Sequence, residues 1–125
     1  IDIDYHDFET AKNVAAEVYD YLYKTNKNLQ IRFTGKEAFH LVYCFDKKYN
    51  ISEIKTILSN LIKDFADKYD IKSKRSGVKP NLDLSSNKIK GGFISLHSLS
   101  VLGLRCMEVS RKGLLQFNKN EAKII

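Results

Sequence analysis

Apolar residues switch repeatedly between a period of two and a period of three to four along this chain, and that switching limits its fold more than any other feature. Residues 1–5 set Ile1, Ile3 and Tyr5 against Asp2 and Asp4, the alternation of a half-buried strand. Asp7 then suits an N-cap, and Ala11, Val14, Ala15, Val18, Tyr19 and Leu22 predict an amphipathic helix ending near Thr25–Asn28. Leu29–Thr34 and Ala38–Phe45 alternate again, the second with Phe39, Leu41, Tyr43 and Phe45 on one face, and Gly35 supplies the turn between them. Asn50 followed by Glu53 is a capping-box pattern. It opens the strongest helical run, Ile54, Ile57, Leu58, Leu61, Ile62, Phe65, Ala66 and Tyr69. Further strands are predicted at Leu82–Leu84, Phe93–Ser98 and Leu102–Val109, with a turn at Gly91-Gly92 and a short terminal element between Lys112 and Ile125.

The order β-α-β-β-α-β followed by extra strands predicts an α+β fold, an RRM-like or ferredoxin-like antiparallel sheet with two helices on one face. A length of 125 residues suits a single domain over 1–125 with its own core. The chain begins inside a strand and without methionine, which predicts a longer natural protein with a further N-terminal module. No apolar run approaches the roughly 18 residues of a membrane span, and no signal pattern opens the chain, so an intracellular location (cytoplasmic, or nuclear in a eukaryote) and no membrane partner are expected. Cys44 and Cys106 lie far apart in apolar, strand-like contexts and are expected to be buried free thiols. Neither has CxxC or CxxH spacing, which argues against structural zinc.

The polar positions of the strands carry the chemistry. With Ile1 and Ile3 turned to the helices, Asp2 and Asp4 share the opposite face, roughly 6–7 Å apart. Carboxylates that close repel, and divalent cations satisfy them. His40 alternates with Phe39 and Leu41 and falls on the same face, while Thr34 and Lys36 at the preceding turn offer a hydroxyl, an ammonium and backbone N–H groups to phosphate oxygens. Asp83, between Leu82 and Leu84, supplies a third carboxylate, and Ser95 and His97 share a face after the basic pair Lys88 and Lys90. The net charge of +6 is concentrated here, with Lys72, Lys74, Arg75 and Lys79 placed to follow a nucleic-acid backbone. Each motif also has a plain reading, as solvated aspartates, a structural histidine or a solvated basic loop.

In their order and spacing these motifs resemble the archaeo-eukaryotic primases, and more closely the catalytic small subunit of archaeal and eukaryotic DNA primase. Ile1-Asp2-Ile3-Asp4 matches the family's hydrophobic-Asp-hydrophobic-Asp strand, Thr34-Gly35-Lys36-Glu37-Ala38-Phe39-His40 its glycine–arginine turn ending in histidine, and Asp83, Lys90 and Ser95-Leu96-His97 its third motif. The resemblance implies template-directed nucleotidyl transfer from an NTP or dNTP on single-stranded DNA. Asp2, Asp4 and Asp83 would hold two Mg²⁺ or Mn²⁺ ions, and His40, Lys90, Ser95 and His97, with Thr34 and Lys36, the nucleotide. It also implies a primase large subunit as partner. Lys36 and Glu37 stand where the family has two arginines, and lysine cannot make arginine's bidentate fork. The polymerase domain of end-joining repair ligases shares these motifs and is a second reading. A non-catalytic RRM-like nucleic-acid-binding module is a third, but RRMs present aromatics on the face that here carries carboxylates.

Overall fold

A computed structural model describes residues 1–35, 38–45, 47–71, 78–84 and 106–123. Its elements are β1 (Asp2–Asp4), α1 (Phe8–Tyr23), β2 (Leu29–Phe33), β3 (Phe39–Tyr43), α2 (Ile51–Ile62), β4 (Asn81–Asp83) and β5 (Met107–Val109). Single 3-10 turns follow at Lys63–Phe65, Leu114–Gln116 and Lys119–Ala122. The strands form one antiparallel sheet in the order β4-β1-β3-β2-β5. This is an α+β arrangement compatible with a ferredoxin-like fold, extended at the β2 edge by β5.

Strand alternation sends one set of side chains into the core. Ile1, Ile3, Ile31, Phe33, Phe39, Leu41, Leu82 and Val109 are all buried on the helix-covered face. Asp7 caps α1 by accepting from the Glu9 N–H, and α1 lays Ala11, Val14, Ala15, Val18 and Leu22 on the sheet. The small alanines let the helix approach closely, and Phe8 joins Phe33, Phe39 and Phe117 in an aromatic cluster with centroids 5.2 to 6.2 Å apart.

The Asn50–Glu53 capping box forms, with the Asn50 side chain accepting from Glu53 N and Glu53 accepting from Asn50 N. The helix it opens is shorter than its apolar pattern predicts. It ends at Ile62 and tightens into the 3-10 turn, so that Leu58, Ile62 and Phe65 are buried while Ala66 is exposed. Downstream, Asp70 donates its N–H to the Pro80 carbonyl at 2.9 Å and accepts from Leu82 N at 2.7 Å, so the chain has left the helix and joined β4 by that point. Phe65 meets Tyr21 edge-on, while Tyr69 and Lys68 both donate to Glu17, tying this segment to α1.

The cysteines differ from expectation. Cys44 is exposed and only Cys106 is buried. Cys44 follows the last residue of β3, where the sheet ends and shelter from neighbouring strands is lost. The segment after β5 does carry terminal elements, and their attachment was not legible in the sequence. Lys12, on the buried face of α1, donates through Nζ to the carbonyls of Leu115 at 3.1 Å and Phe117 at 2.7 Å and pairs with Glu9 at 2.8 Å. A buried ammonium is tolerable because these groups replace its hydration. The expected strands at Phe93–Ser98 and over 102–105 lie outside the described residues, and no helix among the described residues is long and apolar enough to cross a membrane.

Lys12→Met keeps most of the stem's packing and removes the donor to both carbonyls. It is expected to lower stability by about 1–3 kcal/mol in urea unfolding, and an unchanged midpoint would show that the lysine clamp contributes nothing.

Candidate functional site

The sheet register builds a continuous polar row on the face away from the helices. Asp83 lies opposite Asp2, Asp2 opposite His40, His40 opposite Arg32, and Arg32 opposite Glu108. Asp4 lies two residues along from Asp2 and opposite Asn81. Each of these residues occupies the polar phase of its strand because the other phase is consumed by the core.

The row is more sheltered than a bare sheet face. His40, Asn81, Thr34 and Cys106 are buried, whereas Asp2, Asp4, Asp83 and Arg32 are half-buried. Burial first, then the positive charges of the Ile1 amino group and Arg32, lower the His40 pKa from 6.5 to about 4. Its Nε2 stands 3.5 Å from Asp2 Oδ1, so at neutral pH the contact joins a carboxylate to a neutral imidazole and is not an ion pair. Burial pushes the Cys106 thiol up, against the pull of nearby Arg32.

At the turn between β2 and β3, Thr34 donates its N–H to the Ala38 carbonyl at 3.0 Å, and Gly35 takes φ of 91°, a conformation side chains disfavour. Thr34 follows Arg32 by two residues and so shares its face. The remaining nucleotide candidates Lys36, Lys90, Ser95 and His97 lie outside the described residues, as do Lys72, Lys74 and Arg75 of the basic stretch. Lys79 is exposed, with Nζ 3.3 Å from the Asp67 carbonyl.

Asp2, Asp4 and Asp83 offer hard oxygen donors of the kind Mg²⁺ and Mn²⁺ take. The register brings Asp2 and Asp83 opposite each other, and carboxylates so placed repel. Among the described residues no group of three or more His, Cys, Asp or Glu side chains converges closely enough to hold a metal ion. The carboxylates thus fit a metal in donor chemistry and strand position, and the coordination sphere itself is not drawn together.

Sequence reasoning missed Arg32 and Asn81. The signal was present in both cases. Arg32 stands between Ile31 and Phe33 as His40 stands between Phe39 and Leu41, and Asn81 is separated from Asp83 by Leu82. Their roles depend on which strands become neighbours, and alternation alone does not give that.

A second polar assembly lies between α1 and the segment after α2, around a shallow cleft of about 440 Å³. Tyr21 Oη donates to Asp64 at 2.6 Å, and Arg111 makes a two-pronged bond to Asp20 at 2.8 Å on each prong. Burial alone would raise the Glu17 carboxyl, but its bonds from Lys68 and Tyr69 hold it below its usual value. These carboxylates are engaged in tying elements together, so the cleft reads as a clamp. Comparison with known protein families, with curated proteins and with solved structures finds no match to this chain.

The His40 imidazole makes stability depend on pH. The unfolded histidine binds a proton near pH 6.5 and the folded one resists until about 4, so the unfolded state holds more protons in that window. Stability is therefore full above 6.5 and falls on acidification towards 4, by on the order of 3 kcal/mol. Urea midpoints against pH in chelator-containing buffer are expected to fall less steeply for His40→Gln than for the parent. Parallel curves would remove His40 as the cause.

Proposed function

We propose that this chain is a metal-dependent nucleotidyltransferase of the primase kind, extending or making short primers on a single-stranded DNA template. The observation that carries the reading is the register in which Asp2 faces Asp83 on one side and His40 on the other, with Asp4 two residues along. Three separate sequence motifs point to those residues, and one member of each (Asp2, His40 and Asp83) stand as neighbours across strands that are distant in sequence.

In this reading Asp2, Asp4 and Asp83 anchor the cations, and their fixed strand positions keep the charge where the primer end and triphosphate meet. Two Mg²⁺ or Mn²⁺ ions, when bound, supply charge neutralisation for the triphosphate and promote ionisation of the primer 3′-hydroxyl. The neutral His40 imidazole has a single N–H, and with its Nε2 beside Asp2 Oδ1 it serves to hold that carboxylate in place next to the nucleotide phosphates. The Thr34 hydroxyl and the turn at Gly35 lie two to three residues along from Arg32, beside the row, where an elongated phosphate chain needs donors. Lys79 and the rest of the basic stretch supply sequence-independent attraction for the template backbone.

Asp2→Ala or Asp83→Ala is expected to abolish labelled-nucleotide incorporation on a primed template and to remove the calorimetric signal of Mn²⁺ binding. Incorporation that survives both changes would sink the proposal. Absence of Mn²⁺ binding by the parent chain would favour a non-catalytic nucleic-acid-binding module instead.

A further inference from the structure

We infer that Arg32 is the residue that grips the outer phosphates of a nucleoside triphosphate at the carboxylate row, and so selects triphosphates over shorter phosphates. This rests on the reading of Asp2 and Asp83 as the cation end of the row. Arg32 lies opposite His40, and His40 opposite Asp2, so only one strand separates the guanidinium-bearing position from the carboxylate-bearing one. With strands about 4.8 Å apart, the Cα atoms of Arg32 and Asp2 are about 10 Å from each other. The row therefore runs from two carboxylates, through an imidazole, to a guanidinium. That sequence of groups complements a metal–triphosphate, whose cation seats on carboxylates and whose trailing phosphate oxygens call for donors.

Local contacts orient the side chain. Arg32 is half-buried, and its Nε donates to Gln30 Oε1, two residues back on the same face of β2. A bond through Nε steers the guanidinium plane while leaving the Nη groups as the pair for forked recognition of phosphate. A structural pairing with Glu108 across β5 is the competing role, but Glu108 is exposed at the sheet edge, where such a pair is screened and contributes little. The β2–β3 turn carries Lys36 and Glu37 and has no arginine, so that turn offers a phosphate no fork. Among the described residues, Arg32 is the arginine that the register brings to that face beside His40.

The test is calorimetric titration of the full chain with inorganic tripolyphosphate and with orthophosphate, in low-salt buffer containing Mg²⁺. Arg32→Gln is expected to weaken tripolyphosphate binding at least tenfold and to erase the preference over orthophosphate. Lys55→Gln, an exposed change of the same charge on α2, is expected to leave both unchanged. Arg32→Lys keeps charge and stem, and is expected to bind several-fold more weakly than the parent because the fork is lost. It carries the same test should Arg32→Gln misfold, as judged by near-ultraviolet circular dichroism. No tripolyphosphate binding by the parent, unchanged affinity in both Arg32 variants, or an equal loss in Lys55→Gln would each overturn the inference. A parallel Mn²⁺ titration separates this result from the proposed function. Normal Mn²⁺ binding with an unchanged Arg32→Gln leaves the function standing and removes the arginine. Absent Mn²⁺ binding with a weakened Arg32→Gln removes the metal-dependent reading and keeps the anion grip.

Discussion

The double pairing of β1, with β3 on one side and β4 on the other, governs both faces of the sheet. Ile3 sits between Phe39 and Leu82, and Asp2 between His40 and Asp83. A slip of one residue would put aspartates into the core and isoleucines on the polar face, so core formation and the polar row are enforced by one register. The like charges of Asp2 and Asp83 are held face to face because Ile3 and Leu82, both fully buried on the other phase, cannot give up their places. Apolar burial of each side chain contributes about 1.5–3 kcal/mol, enough to outweigh repulsion between half-exposed carboxylates.

The edges of this arrangement are closed by polar contacts that sequence periodicity does not reveal. Lys12 occupies a buried position on α1 where an apolar residue would fit the pattern, and it satisfies the backbone carbonyls of the segment after β5. That attachment brings Phe117 into the cluster of Phe8, Phe33 and Phe39. Arg111 to Asp20 and Lys68 with Tyr69 to Glu17 then connect the segment after β5 and the segment after α2 to α1. Helix α1 is therefore the common support, although the capping signal of α2 is the stronger one in the sequence.

Alternation of apolar and polar residues was enough to place Asp2, Asp4 and His40 on one face, and the Asp7 and Asn50 caps marked both helix starts. It overestimated α2, because apolar spacing from Ile54 to Tyr69 fits a 3-10 turn and the segment after it as well as it fits a continued α-helix. It also read Cys44 as buried from its apolar surroundings, although the strand ends one residue earlier.

What the sequence determined by itself is the phase of each strand, hence which residues face the helices and which carry polar chemistry, since a period of two admits only two faces. It also determined where helices begin, because capping is satisfied within a few residues of chain. Only tertiary structure decided which polar residues meet. Asp2 and Asp83 are far apart in sequence, and their juxtaposition follows from the strand order β4-β1-β3-β2-β5, which sets Asp83, Asp2, His40 and Arg32 in one line. Neighbour choice is settled by how both helices and the whole apolar face pack at once, a global constraint that no local pattern contains.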